Sequence, residues 1–154
     1  ALELLAVRMA SDLGLSPVGL RVRGVKTGGA EVDFIAEGAH LIYSRWIFQC
    51  KNTAKVDVAV LSKEIGMATL LQCDVIVIAT TGSFSSTVRK YADQVIANTP
   101  FQVVLIDQPV LDAYARGGSV AALRNHLHST ASQALTLKSS QVEEVIEDLY
   151  EDGI

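Results

Sequence analysis

Asp33, Gln49 and Lys51 are the residues whose types and spacing could do chemistry. Gln49 and Lys51 lie in "WIFQCKNT", residues 46 to 53, a bulky apolar stretch where only Cys50 separates an amide from an ammonium. Burying either group is costly unless it is paired, so a strand that served only as core would not carry them. Alternation along a strand places Gln49 and Lys51 on one face with Ile47, and Trp46, Phe48 and Cys50 on the other. In "AEVDFIAEG" the same alternation sets Asp33 with Glu31 on the face opposite Phe34. If the two segments pair, a carboxylate, an amide oxygen and an ammonium converge at the rim of a sheet. That set suits metal-assisted hydrolysis of a phosphodiester. A hard divalent cation takes oxygen ligands, which Asp33 can provide together with Gln49 or the backbone carbonyl of Cys50. Lys51 is then placed to orient the attacking water and to steady developing charge, with the cation polarising the phosphate.

Positioning these groups requires a sheet, and the chain supplies one. "ALELLAVRMASDLGL" has helical spacing in Leu2, Leu5, Met9 and Leu13, with Gly14 near a natural stop. "VGLRVRGV", "AEVDFIAEG" and "RWIFQCKN" read as strands, the first two joined by a turn at "KTGG", and short connections suit an antiparallel meander. Beyond residue 56 the pattern alternates. Helical spacing over 57 to 72 is followed by the continuous apolar strand "DVIVIATT", then by a helix in "SFSSTVRKYADQVIAN" that opens on capping hydroxyls. "FQVVLID" is a further strand, and "QPVLDAYA" a short helix. Strands alternating with helices imply parallel crossovers, so the expected class is α/β with a central mixed five-stranded sheet flanked by helices. "RGG", residues 116 to 118, is the best linker candidate. Two further helical stretches, about 119 to 136 and 140 to 151, form a C-terminal helical extension. The expected organisation is therefore a core over 1–116 and an extension of the same domain over 117–154.

Composition bounds the partners. At 154 residues, 49% hydrophobic and 19% charged, the chain suits one globular domain with a sizeable core. No apolar run approaches the roughly 20 residues of a membrane span. Cys50 and Cys73 match no metal-site spacing and are too few for a disulfide framework, which points to a reducing cytoplasm. The net charge of −4 is unevenly spread: Glu143, Glu144, Glu147, Asp148, Glu151 and Asp152 cluster near the C-terminus. Setting those six aside leaves 13 basic residues against 11 acidic ones, a body compatible with DNA contact. The acidic run itself reads as a solvated helix face. Opening at Ala1, without Met and already in a helical pattern, the chain reads as a fragment of a longer protein.

"GGAEVDFIAEG…WIFQCKNT…VIVIATTGSFSSTVRKYADQ…FQVVLID" resembles the Mrr-type restriction endonuclease family over roughly residues 2 to 114. This is a branch of the PD-(D/E)XK nucleases in which Gln replaces the second acid, giving D…QxK. The resemblance implies the restriction-endonuclease-like three-layer fold. It matches Asp33 to the metal-binding aspartate, Gln49 to the second-acid position and Lys51 to the catalytic lysine. A glutamate on the family's first helix often completes the site, and Glu3 stands there. The activity implied by the resemblance is that of a Mg²⁺-dependent DNA endonuclease domain, with Mn²⁺ as a substitute ion, from a restriction or defence protein. DNA is the implied partner, with recognition in a missing domain and a homodimer compatible. Leu2, where the family favours an aromatic, and glycines four and five residues before Asp33 depart from its pattern.

Each residue also has a plainer reading. Lys51 alone would be a strand-end lysine reaching to water, Gln49 an edge residue, and Glu3 an acid favoured by the helix dipole. With Asp33 and the downstream segments in register, catalysis is the better reading. "TTGSF" is a strand end and helix cap whose backbone N–H groups could hold a DNA phosphate. Arg21, Arg23 and Lys26 read as a solvated strand face that could touch phosphates. His40, His126 and His128 read as surface or loop residues. The alternatives are a nuclease-fold binding or assembly module that does not cut, and a Holliday-junction resolvase-like enzyme.

Overall fold

Strand alternation and buried apolar runs build one principal sheet, ordered β1-β2-β3-β5-β7. A computed structural model describes residues 2–23, 31–39, 41–117 and 120–151, with 19–23, 31–33 and 140–148 given by backbone alone. The elements are α1 (Leu2–Asp12), β1 (Ser16–Arg23), β2 (Glu31–Gly38), β3 (Ser44–Lys51), β4 (Lys55–Val56) and α2 (Val58–Leu71). After them come β5 (Val75–Thr80), β6 (Ser83–Phe84), α3 (Ser86–Asn98), β7 (Gln102–Ile106), α4 (Gln108–Gly117) and α5 (Val120–Glu151). β1, β2 and β3 form the expected antiparallel meander, and β3, β5 and β7 run parallel, so the sheet is mixed. Pro17, which cannot donate to a ladder, is tolerated because β1 is an edge strand.

The helices cover both faces of the sheet. On one, α1 and α4 bury Leu2, Ala6, Met9, Leu111 and Tyr114 against Phe34, Phe48, Cys50, Val77 and Ile106. On the other, α2 and α3 bury Leu61, Ala68, Val88, Ala92, Val95 and Ile96 against Ile47, Ile76, Ile78 and Val103. β5, "VIVIAT", lies between the two layers and is buried along its whole length, which is why its sequence does not alternate. Each buried aliphatic or aromatic side chain contributes about 1.5–3 kcal/mol, so the two layers carry most of the fold's stability. Caps set the helix ends. The Val60 and Val88 amides donate to Asp57 and Ser85 at the starts of α2 and α3, and Gly14, at φ 79°, ends α1.

Two expectations near the C-terminus are corrected. Arg116 and Gly117 of the expected linker belong to α4, and only residues 118 and 119 separate it from α5. The two expected C-terminal helices are one, α5, of 32 residues. Within it the hydroxyls of Thr130 and Thr136 donate to the carbonyls of His126 and Ser132, one turn back, so these side chains do not compete with the helix for other partners. Helix α5 passes from one layer to the other around the β7 edge: Leu123 joins the α1–α4 layer and Ala134 the α2–α3 layer. His126, expected on the surface, is half-buried there, its ring nitrogen 2.7 Å from the Leu105 carbonyl of β7. That contact satisfies an edge-strand acceptor. Lys26, the "KTGG" turn and His40 lie outside the described residues, and Arg21 and Arg23 are described by backbone only.

Candidate active site

Phe34 of β2 and Phe48 of β3 fix the register that brings the candidate residues together. Their rings stack with centroids 4.5 Å apart and planes 5° from parallel, and both side chains are buried under α1. A slip of one residue would turn these rings out of the core, so the pairing is strongly specified. In that register Asp33 stands directly opposite Gln49, and Val32 opposite Cys50. β3 is the middle strand of the sheet, which excludes the reading of Gln49 as an edge residue. Lys51 is the last residue of β3, half-buried, paired in register with Thr80.

Alternation sends Gln49 to the face covered by α2 and α3. It is 1% exposed, and among the described residues neither its amide oxygen nor its amide nitrogen has a hydrogen-bond partner. Leaving a buried amide unsatisfied costs about 1–3 kcal/mol for each group, so the position is a poor choice for stability alone. Glu64 of α2 is also 1% exposed, within the helix's buried stripe of Leu61, Glu64 and Ala68. Sequence reasoning missed it. The signal was available: an acid three residues after Leu61 and four before Ala68, inside an apolar stripe.

The segment after Lys51 is held by the end of β5. Thr81 donates its amide to the Lys51 carbonyl at 3.3 Å and its hydroxyl to the Asn52 side-chain oxygen at 2.7 Å. The Thr80 hydroxyl donates to the Thr53 carbonyl at 3.2 Å, and the Ser83 amide to Ala54 at 3.1 Å. The two-residue parallel pair of β4 and β6 continues this junction. Gly82 sits so close that a Cβ there would meet the carbonyl oxygens of Thr53 and Ala54 at 2.2 Å, so no other residue fits without movement. "TTGSF" is thus a strand end that clamps the "KNT" loop, and Ser85 just after it is the helix cap.

The opposite end of β3 is anchored separately. Arg45 pairs with Glu37 at 2.9 Å and donates to the Leu71 carbonyl at 2.8 Å, while its amide donates to Asp74. Hydrogen bonds from Tyr43 and then Arg45 hold the Glu37 carboxyl below the usual carboxylate range. β3 is therefore tied at both ends, with Gln49 and Lys51 between the anchors.

Glu3 is half-buried in the first turn of α1, on the helix that covers the Phe48–Cys50 face, while its helix neighbours Val7 and Ala10 are half-buried and buried. Cys50 has its side chain in that same layer. Asp33 is given by backbone only, so the structure joins Asp33, Gln49, Cys50 and Lys51 by strand register, whereas Glu3 lies on α1, which covers the face of the sheet opposite to the Gln49 side chain. Among the described residues no group of three or more His, Cys, Asp or Glu side chains could hold a metal. The donors in register here are of another kind: an amide oxygen and a backbone carbonyl beside Asp33. Oxygen donors with a buried amide that is unpartnered among the described residues fit a hard divalent cation.

Among known proteins, the family model of the Mrr catalytic domain, described as restriction endonuclease, matches residues 1–114. No curated protein and no solved structure matches the chain.

Proposed function

The chain belongs to the Mrr-type restriction endonuclease family, and from that premise we propose that it is a Mg²⁺-dependent deoxyribonuclease domain acting in restriction or defence. The observation that carries the reading is Gln49: a buried amide on the central strand, opposite Asp33 in register, with vacant donor and acceptor among the described residues. A core position with that cost is explained by a ligand that uses the oxygen.

Asp33, the Gln49 side-chain oxygen and the Cys50 carbonyl would hold the cation. When bound, the ion supplies Lewis acidity toward the scissile phosphate and its attacking water. The chain's own residues do the rest. Lys51, held at the strand end by the Thr81 amide on its carbonyl, orients that water and stabilises charge on the phosphate oxygens. Gln49 keeps its place because β3 is pinned by Arg45 at one end and the Gly82 junction at the other. Glu3, the acid that the resemblance adds, would have to reach the site from α1 past the end of the sheet, since α1 covers the other face. DNA is the substrate by family, and the cytoplasm is the compartment that suits the buried thiols of Cys50 and Cys73.

Cleavage of supercoiled plasmid by the wild type and by Asp33→Ala, titrated with Mg²⁺, tests the reading. We expect metal-dependent nicking that Asp33→Ala abolishes while its melting temperature is unchanged or higher, since one carboxylate of the site is gone. Full activity in Asp33→Ala overturns the assignment. Binding of plasmid without cutting would mark a non-cleaving module, and strong preference for four-way junctions a resolvase.

A further inference from the structure

We propose that Asn52 is a further substrate-contacting residue: its side-chain nitrogen donates a hydrogen bond to a DNA phosphate oxygen at the rim beside Lys51. The inference rests on the nuclease reading and extends it to a residue outside the D…QxK pattern.

An asparagine just past a strand ordinarily closes a turn by bonding to its own backbone two residues on. Asn52 bonds elsewhere. Its side-chain oxygen accepts the Thr81 hydroxyl at 2.7 Å, across 29 residues of sequence. A carboxamide is planar, with its acceptor on one arm and two donors on the other. With the oxygen turned to Thr81, the nitrogen points away from it. Asn52 is exposed, and that nitrogen has no hydrogen-bond partner among the described residues.

The segment that carries this donor is held on several bonds. The Thr81 amide donates to the Lys51 carbonyl at 3.3 Å. Thr80, fully buried, donates its hydroxyl to the Thr53 carbonyl at 3.2 Å and accepts the Gly82 amide at 3.0 Å. A donor fixed before the ligand arrives loses less freedom when it binds. Position agrees with orientation. Lys51 ends β3, and alternation continued by one residue turns Asn52 to the other side of the sheet, so the two side chains straddle the rim. Lys51 serves the phosphate that is cut, and Asn52 reaches a phosphate further along the same backbone. Asparagine is among the side chains that bind DNA phosphates, contacts that position the duplex and carry no sequence information.

The test measures binding of the full chain to two duplexes of unrelated sequence in Ca²⁺, with single-turnover cleavage in Mg²⁺ in parallel. The proteins are the wild type, Asn52→Ala, Asn52→Asp and Thr81→Val. Asn52→Ala should lose roughly 10-fold in affinity for both duplexes, the worth of a hydrogen bond to a charged group. Asn52→Asp keeps the acceptor for Thr81 but sets a carboxylate against the phosphate, so it should bind more weakly still. Thr81→Val keeps the donor and loses only its fixed direction, so its loss should be the smaller one. Melting temperatures of both Asn52 variants should hold, since the side chain is exposed. Wild-type affinity in Asn52→Ala overturns the proposal. So does wild-type affinity in Asn52→Asp, or a Thr81→Val loss equal to that of Asn52→Ala, because Asn52 would then only anchor the loop. A wild type that binds both duplexes without cutting overturns the nuclease reading and leaves Asn52 judged on affinity; one that does neither overturns both.

Discussion

Two faces of the same strand show different priorities. Toward α1, β3 presents Phe48 and Cys50, both buried, with Phe48 stacked on Phe34 and Trp46 6.2 Å away. Toward α2 it presents Ile47, then the Gln49 amide, unpartnered among the described residues, then Lys51, with Glu64 buried in the covering helix. Substituting the first face should cost folding energy and leave the chemistry alone; substituting the second should do the reverse. A strand can serve both because its side chains alternate, so stability and reactivity are separated by about one side chain's width rather than assigned to different elements.

The sharpest way to break this comparison is Phe48→Ala. Losing a fully buried ring from the stacked pair should cost about 3–5 kcal/mol in urea unfolding, yet the folded fraction at low temperature should cleave at the wild-type rate. A large loss of activity per folded molecule would mean the two faces are not separable.

Lys51→Met makes the converse substitution on the other face. Single-turnover cleavage should slow by about 10²- to 10³-fold, while DNA binding in Ca²⁺ and the melting temperature hold. Equal losses in rate and affinity would mean Lys51 only grips the backbone phosphate.

Gln49→Leu sharpens the contrast. Replacing a vacant buried amide with an apolar group of similar size should raise stability in EDTA by about 1–3 kcal/mol and remove the response to Mg²⁺. Destabilisation instead would show that Gln49 has a structural partner.

The smallest effect belongs to the α1 face. Burial, and then the hydrogen bond to Asp12, push the Tyr114 phenol up to about 12 from an ordinary 10.0. Since the folded protein holds this proton more tightly, the stability involved is present below about pH 10 and lost as pH rises through about 12. Melting temperatures of the wild type and Tyr114→Phe should diverge below that window and converge across it.

How much of this was legible in the sequence differs by region for physical reasons. Strands β2, β3, β5 and β7 could be read because alternation and apolar runs report burial directly, and D…QxK because strand parity places its residues. The C-terminal helix reads from sequence as two pieces, but the structure carries it through residues 137 to 139 without a break, with Leu137 packed on the α2–α3 layer. Glu64 was missed because one acid in an apolar helix stripe gains meaning only when the face opposite it is known. Neither β4 nor β6 could be read, since a two-residue ladder exists only through the contact between two loops.

Helix α5 bears on how the protein is made. A chain emerging from the ribosome N-terminus first has all five strands of the main sheet available once Ile106 is free, and α4 soon after. At that stage the β7 edge still lacks the His126 contact, and each layer lacks the side chains that α5 provides: Leu123 and Leu127 on one, Ala134 and Leu137 on the other. This later element thus seals both layers at once. Until residue 137 is out, the nascent chain has an uncovered strand edge, the feature that invites pairing with a neighbouring chain.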